Sequence, residues 1–126
     1  MKAAILYTKE KGLEIREVPI PQIGHKDVLI KVRAAGICHT DLEIVDGHVP
    51  IGNLPMILGH EISGEIVETG GQVPKDLKGK RVCMSYGVVC GSCAQCKEGN
   101  DTLCEKWQSM GRTVNGGFAE YLAAPA

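Results

Sequence analysis

Four cysteines lie within fifteen residues, in a stretch whose other residues are mostly glycine and polar. Two residues separate the first from the second and the second from the third, and seven separate the third from the fourth. The four are Cys90, Cys93, Cys96 and Cys104. Structural zinc sites use four thiolates in a tetrahedron, and a C-x-x-C-x-x-C run lets one tight loop supply three of them. Four thiolates leave no open coordination position, so the stretch predicts a zinc ion that stabilises a loop and does no chemistry.

Disulfides, a redox dithiol and unmodified core thiols are the alternatives for these cysteines. Disulfides are rare in reducing compartments, with intracellular proteins of hyperthermophiles as an exception, and a redox dithiol normally needs a single C-x-x-C pair. Core thiols would need apolar surroundings, whereas the residues between the cysteines are mainly Gly, Ser, Gln, Lys, Glu, Asn and Asp. Zinc is the interpretation that accounts for all four cysteines, and we favour it.

A second group of candidate metal donors occurs in the segments GICHTD and GHEISGEIVETGGQV. Cys38 offers a thiolate and His60 an imidazole, a donor pair that suits zinc with a coordination position open to substrate. The two residues are twenty-two positions apart, so separate elements must bring them together. Each residue type also has a purely structural interpretation, because free cysteine is often a small buried hydrophobe and Thr40 or Asp41 can cap a helix.

These two segments resemble the N-terminal GroES-like catalytic domain of the zinc-dependent medium-chain alcohol dehydrogenases. The family pattern of GHE followed by spaced glycines and a valine is met by Gly59, His60, Glu61, Gly64, Gly70 and Val73. The four-cysteine stretch and the segment GGFAEY also match, so the resemblance covers essentially all 126 residues. It implies one domain over 1–126, a mainly β, partly open GroES-like barrel with short helices and a zinc-binding lobe at about 87–108.

The resemblance also implies roles for individual residues. Cys38 and His60 would be ligands of a catalytic zinc, and the four clustered cysteines ligands of a structural zinc. Asp41 would accept a hydrogen bond from the His60 ring, and Glu61 would lie behind the metal and modulate its coordination. Thr40 would bind the substrate oxygen and begin the proton relay. His39 would face the pyrophosphate of the cofactor.

The activity implied by the resemblance is that of an NAD(P)-dependent, zinc-dependent alcohol dehydrogenase, which reversibly converts alcohols to aldehydes or ketones by hydride transfer. Its substrate would be a small-molecule alcohol, aldehyde or ketone, and the full-length enzyme would be a homo-oligomer. Many family members have a relay histidine where this chain has Glu43, so the resemblance does not identify the group that passes the proton to solvent. A carboxylate can also relay protons.

The sequence contains no G-x-G-x-x-G after a strand and no third family ligand for the catalytic zinc. We therefore expect a nucleotide-binding domain to be missing and the chain alone to be inactive and unable to bind NADH. The four-cysteine site should be occupied, and the Cys38/His60 site empty or weakly filled. An excised domain, a truncated gene and a free-standing subunit all fit this pattern, and we favour the first.

Two other functions compete with the dehydrogenase. A zinc-stabilised barrel that serves as a structural or interaction module would explain the length, but it has no need of Cys38 and His60. A reductase of activated double bonds on the same fold is the third interpretation. Relatives of that kind commonly lack the catalytic-zinc residues, so the same two side chains count against it.

Charge and hydropathy restrict the binding partners and the cellular compartment that we expect for the protein. The formal net charge is −1, with basic residues scattered among acids, so no electrostatic footprint for nucleic acid or an anionic membrane is present. The segment MKAAILYTKEKG has only a four-residue apolar run, too short for a signal peptide, and no run approaches the roughly 18 apolar residues of a membrane span. We expect a cytoplasmic protein with reduced thiols.

Apolar alternation predicts the elements that must position these residues. Five or six short strands are expected, in the segments AAILYT, LEIREV, DVLIKVRAAGI, EISGEIVETGG, GKRVCMSY and GGFAEYLAAPA. A short helix over Thr40–Val45 should be capped by Thr40, and HVPIGNLPMILG should form a loop. Cys83 is expected in the core and His48 on the surface.

Overall fold

The structure, a computed structural model, describes residues 1–126 and is built mainly from short strands. The strands are β1 (Lys2–Leu6), β2 (Leu13–Glu17), β3 (Asp27–Gly36), β4 (Met56–Ile57), β5 (Glu61–Thr69), β6 (Arg81–Cys83), β7 (Gly87–Val88), β8 (Gln108–Ser109) and β9 (Tyr121–Pro125). The helices are α1 (His39–Val45) and α2 (Ala94–Lys97), and 3-10 turns cover Lys9–Lys11, Lys75–Leu77 and Asp101–Leu103. The predicted mainly β fold class is confirmed. Neither helix is long and apolar enough to cross a membrane.

The largest sheet is antiparallel, with strand order β6-β5-β3-β9. Alternate residues of its strands face one apolar core, in which Ile30 of β3 pairs with Ile66 of β5 and with Leu122 of β9. Two register shifts interrupt the pairing of β3 with β5. Such irregularities bend a strand and increase its twist, which helps a small sheet to curl into an open barrel.

The second sheet, with order β2-β1-β4, supports the helix that follows Cys38. Ile44 of α1 packs with Leu6, Met56 and Leu58 in a separate buried cluster. Strand β4 lies in the segment predicted as loop, where it pairs with β1. Pro50 and Pro55 lie within this segment and before the strand, so the sequence pattern did not reveal a strand of only two residues.

Two local predictions are wrong. Cys38, rather than Thr40, is the N-cap of α1, with extended backbone angles of φ −87° and ψ 154°. Cys83 is exposed instead of buried. It lies on the edge strand β6 opposite Ser63, and it alternates with Val82 and Met84, which pack against the core. The apolar alternation was correct for this strand, but cysteine was assigned to the wrong face.

Candidate metal centres and the adjacent cleft

The four clustered cysteines come together in a lobe whose base is the short ladder of β7 and β8. Cys93 is the N-cap of α2, Cys96 lies within that helix, and Cys104 follows the 3-10 turn Asp101–Leu103. The Sγ atoms of the four cysteines all lie within 4.8 Å of one another. The lobe therefore gathers its donors from one continuous segment without help from the main sheet.

The spacing and chemistry of these sulfurs fit a zinc ion. The Sγ atoms of Cys93 and Cys96 are 3.5 Å apart, and those of Cys90 and Cys96 are 4.0 Å apart. A tetrahedron with zinc–sulfur bonds of about 2.3 Å places its sulfurs roughly 3.8 Å from one another. No disulfide is present, so all four sulfurs are available as donors.

Backbone donors prepare part of this cluster for a cation. The backbone N–H of Ser92, then its hydroxyl, and then the Cys93 N–H lower the pKa of Cys90 to about 6. Burial and the adjacent Cys93 sulfur raise the pKa of Cys96 to about 12. At neutral pH the cluster without metal therefore holds thiolate and thiol side by side, and a divalent cation would displace the remaining protons.

Cys38, His60 and Glu61 form the second cluster, with one donor atom of each within 4.8 Å of the others. Cys38 lies between β3 and α1, whereas His60 precedes β5 and Glu61 begins it. Pairing of Gly36 with Glu61 aligns the ends of β3 and β5. A Cβ atom at Gly36 would lie 2.2 Å from Glu61 Oε2, so glycine leaves the space that the carboxylate fills. The structure thus brings a third donor to the expected pair, and this donor set is chemically suited to zinc.

Asp41 lies behind the second cluster and connects its parts. It is 2% exposed, and its carboxylate accepts hydrogen bonds from the backbone N–H groups of Cys38, at 3.0 Å, and Gly59, at 3.2 Å. His60 Nδ1 lies 3.5 Å from Asp41 Oδ1. This contact directs Nδ1 toward the carboxylate and leaves the other ring nitrogen to face the cluster, a common arrangement for metal-binding histidines.

The backbone around Gly59 is packed too closely for side chains. Gly59 has a φ of +89°, which favours glycine, and a Cβ atom at Gly116 would lie 2.0 Å from the Gly59 carbonyl oxygen. The Gly117 N–H also donates to that oxygen, at 2.9 Å. These contacts fix the backbone immediately before His60, so they help to position the imidazole in addition to its contact with Asp41.

A cleft of about 320 Å³ opens beside His60. The residues that line it are Thr40, Ile44, His60, Tyr86, Trp107, Ser109, Met110 and Arg112. Thr40 Oγ1 lies 3.7 Å from Cys38 Sγ, so the hydroxyl borders both the cluster and the cleft. This volume is near the lower end of the range for small-molecule sites, which is about 300–1,000 Å³.

Sequence reasoning missed the far wall of this cleft. Tyr86 precedes β7 and Trp107 precedes β8, so the two aromatic residues stand at the two ends of the lobe. Their rings meet edge to face, with centroids 5.8 Å apart and planes at 71°. Ser109 and Arg112, which also line the cleft, follow Trp107 by two and five positions in the sequence. The only sequence indication was their position at the predicted lobe boundary.

His39 and Glu43 lie outside the second cluster. The His39 side chain is 81% exposed, and its Nε2 is 3.2 Å from Glu43 Oε1. The other Glu43 oxygen is 3.3 Å from His48 Nδ1, and His48 is on the surface as expected. The residue at the relay position therefore lies between two exposed imidazoles.

Comparisons by family model, by sequence and by structure all show similarity to dehydrogenases. The family model described as "Alcohol dehydrogenase GroES-like domain" matches residues 24–126. An "L-threonine 3-dehydrogenase" of Streptomyces avermitilis is 45% identical over 129 residues, and an "NAD-dependent alcohol dehydrogenase" of Sulfolobus acidocaldarius is 38% identical over 131 residues. They cover 100% and 99% of this chain, which spans 38% of the length of each relative. The crystal structure of an alcohol dehydrogenase from the archaeon Aeropyrum pernix has a TM-score of 0.90 at 37% identity, and the match covers 99% of this chain and 38% of that one.

Proposed function

The chain belongs to the alcohol dehydrogenase GroES-like domain family, and on that premise we propose that it is the metal-holding catalytic domain of a zinc-dependent, NAD(P)-dependent alcohol dehydrogenase. The proposed reaction is the reversible conversion of a small alcohol to an aldehyde or ketone. The convergence of Cys38, His60 and Glu61 at the edge of a small-molecule cleft carries this proposal. A purely structural barrel has no use for an incomplete donor set that faces a cavity.

When bound at this cluster, zinc supplies a Lewis acid that favours ionisation of an alcohol and polarises a carbonyl group. Cys38, His60 and Glu61 would hold it. The Cys90, Cys93, Cys96 and Cys104 lobe would hold a second zinc with no catalytic part. That division rests on donor number, because four thiolates close a tetrahedral site and three protein donors leave it open.

The chain's own side chains provide position and proton contacts. The Thr40 hydroxyl both donates and accepts hydrogen bonds, so it can hold the proton of a substrate hydroxyl beside the cluster. Asp41 stabilises the orientation of His60. Ile44 and Met110 give the cleft apolar walls that exclude water around the reacting carbon.

The proposed hydride acceptor is NAD or NADP, which would be bound largely by a second domain, since this chain spans only 38% of the length of its relatives. The Sulfolobus relative is an NAD-dependent alcohol dehydrogenase by name, which supports this choice. His39 is a candidate contact for the cofactor because its exposed side chain follows Cys38 directly. We further propose a cytoplasmic setting, since thiolate donors need reduced cysteines, and a homo-oligomer for the longer protein.

Cobalt substitution tests the proposal on the chain itself. Co²⁺ tolerates the same tetrahedral N and S donors as zinc, and its visible bands report coordination. Because Glu61 adds a third donor to the pair for which the sequence predicted an empty or weakly filled site, we expect two bound Co²⁺ ions at saturating Co²⁺, with the ion at the Cys38 cluster held more weakly. Only that ion should change its spectrum on addition of 1-propanol or propanal. Cys38→Ser should abolish the responsive band, whereas Cys83→Ser, a matched change at an exposed cysteine outside both clusters, should leave it.

A single bound Co²⁺ that ignores both probes would overturn the dehydrogenase assignment. The same result would favour the structural or interaction module, whose only metal is the one in the four-cysteine lobe.

A further inference from the structure

Arg112 stands out among the residues that line the cleft, because it brings a positive charge to a wall that is otherwise neutral except for His60. Arg112 is half-buried as a residue, and none of the five ion pairs in the structure includes it. Arginine remains protonated in proteins and is costly to desolvate without a partner. A cation without a carboxylate partner, facing a small-molecule cavity, indicates that a ligand supplies the anion.

The position of Arg112 is fixed from three sides. Its Nε donates to the Pro50 carbonyl oxygen at 2.9 Å. Its own carbonyl oxygen accepts from the Gly52 N–H at 2.8 Å, and its backbone N–H donates to the Ser109 carbonyl oxygen at 3.2 Å. These contacts use only one guanidinium donor and leave the two terminal amino groups without a partner in the chain. Those groups form the planar fork that binds carboxylate or phosphate in bidentate fashion.

The rest of the cleft suits a compact ligand with one charged end. Ser109 adds a hydroxyl that has no hydrogen-bond partner within the chain, so it can contribute a second polar contact. Trp107 and Met110 supply apolar surface, and Thr40 with His60 marks the reacting end. No acidic side chain lines the cleft to repel an anion.

We propose that Arg112 is a specificity-determining residue that selects alcohols carrying an anionic group, either a carboxylate or a phosphate ester, in addition to the reacting hydroxyl. The proposal rests on the function proposed above and names its substrate class. The hydroxyl would face Thr40 and His60, and the anion would pair with the Arg112 fork. A neutral alcohol of the same size would leave the guanidinium without a partner, so it would bind more weakly.

Trp107 gives a direct readout, since it lines the cleft and is the only tryptophan of the chain. The zinc-loaded chain would be titrated with two matched pairs, 3-hydroxybutyrate against 1,3-butanediol and glycerol 3-phosphate against glycerol, while Trp107 fluorescence is followed. We expect the anionic member of at least one pair to bind at least tenfold more tightly. The responding pair distinguishes carboxylate from phosphate as the preferred anion.

Variants connect this preference to the guanidinium. Arg112→Gln should reduce the preference to less than threefold without weakening the neutral ligands, and Arg112→Lys should keep part of it. Arg33→Gln, which removes an exposed arginine paired with Glu65 elsewhere on the sheet, is the matched control and should change nothing.

Two results would overturn the assignment of Arg112. One is a wild-type chain that binds anionic and neutral ligands equally or shows no response to the anions. The other is a preference that survives Arg112→Gln. Either result leaves the dehydrogenase proposal standing if the cobalt spectrum still responds to 1-propanol, so the two failures are distinguishable.

Discussion

The four-cysteine lobe and the Cys38 cluster are both suited to zinc, but the protein builds them in opposite ways. The lobe takes its donors from residues 90–104, and between residues 89 and 107 only Cys104 is buried. The Cys38 cluster takes its donors from the end of β3 and the start of β5. Buried Asp41 holds these parts together, and α1 beside them packs on an apolar cluster.

This difference assigns opposite roles to the metal in the two regions. The lobe has almost no apolar interior, so a bound metal would have to supply the stability that a core supplies elsewhere. At the Cys38 cluster the fold already places the donors, and under the proposed function a metal there would add reactivity. A site of the first kind can be recognised from spacing alone, whereas a site of the second kind depends on the whole fold.

Removal of zinc should expose the contrast most strongly. Apparent binding free energies of structural zinc in zinc-finger peptides are about 10–16 kcal/mol, which a lobe without a core cannot replace. After chelation, hydrogen exchange should show complete loss of amide protection across 90–107, while amides of β3 and β5 keep theirs. Simultaneous loss of protection in the lobe and in strands β3 and β5 would show that the lobe and barrel are one cooperative unit, contrary to this comparison.

Acidification should weaken zinc binding to the lobe in two stages. The pKa of Cys96 is about 12, so zinc must displace its proton at any pH below that value. The pKa of Cys90 is about 6, so its thiolate becomes an additional site of proton competition only as the pH falls through 6. The logarithm of the affinity, measured by competition with a chelator from pH 7.5 to 5, should therefore fall more steeply below pH 6. Each competing proton contributes about tenfold per pH unit, and a constant slope would contradict the pKa of Cys90.

Asp41→Asn should affect the Cys38 cluster and leave the lobe unchanged. The substitution removes the charge that orients His60, and changes of this kind typically cost about 10–100-fold in metal affinity. It also weakens two charge-assisted hydrogen bonds, so the free energy of unfolding should fall by about 1–3 kcal/mol. Cobalt titration and denaturant melts measure the two effects. Asp46→Asn, at an exposed position after α1, is the control, and an equal loss of metal there would argue against a specific role of Asp41.

Glu61→Gln should give the smallest of these effects. Glu61 is exposed and supplies one of three donors, so its loss should weaken the Cys38 cluster by roughly tenfold or less, without any change in the free energy of unfolding. Glu68→Gln, on the exposed face of the same strand, is the matched control. If Glu61→Gln binds cobalt as tightly as the wild-type chain, Glu61 is not a ligand, and the cluster has only the two donors expected from the sequence.

The sequence predicted features that depend on local chemistry. Cysteine spacing identified the lobe, and apolar alternation identified the main strands. Local rules failed where neighbouring elements decide the outcome. Thr40 is a better helix cap than cysteine by type, yet Asp41 reaches back to the Cys38 N–H and moves the helix start by one residue. Cys83 is exposed because it points to the face of β6 opposite Val82 and Met84, which pack against the core.

The candidate site was predictable only in part. Cys38 and His60 were recognised through a resemblance, because no spacing rule relates donors twenty-two residues apart. Arg112 carried no indication at all, since a lone arginine after a glycine has no pattern of its own. Its place in the cleft comes from contacts with Pro50 and Gly52, which are some sixty residues away in the chain. Such long-range positioning is a property of the fold rather than of any segment.

The edge-to-face pair of Tyr86 and Trp107 connects the two regions that the rest of the fold keeps apart. Tyr86 lies where the chain passes from the barrel into the lobe, and Trp107 lies where the chain returns. Both residues also line the cleft. A zinc ion remote from the reacting carbon would therefore help to set the shape of the substrate entrance. Exchange of the lobe for one of another sequence is therefore expected to change which ligands the cleft accepts, with Cys38, His60 and Glu61 unchanged.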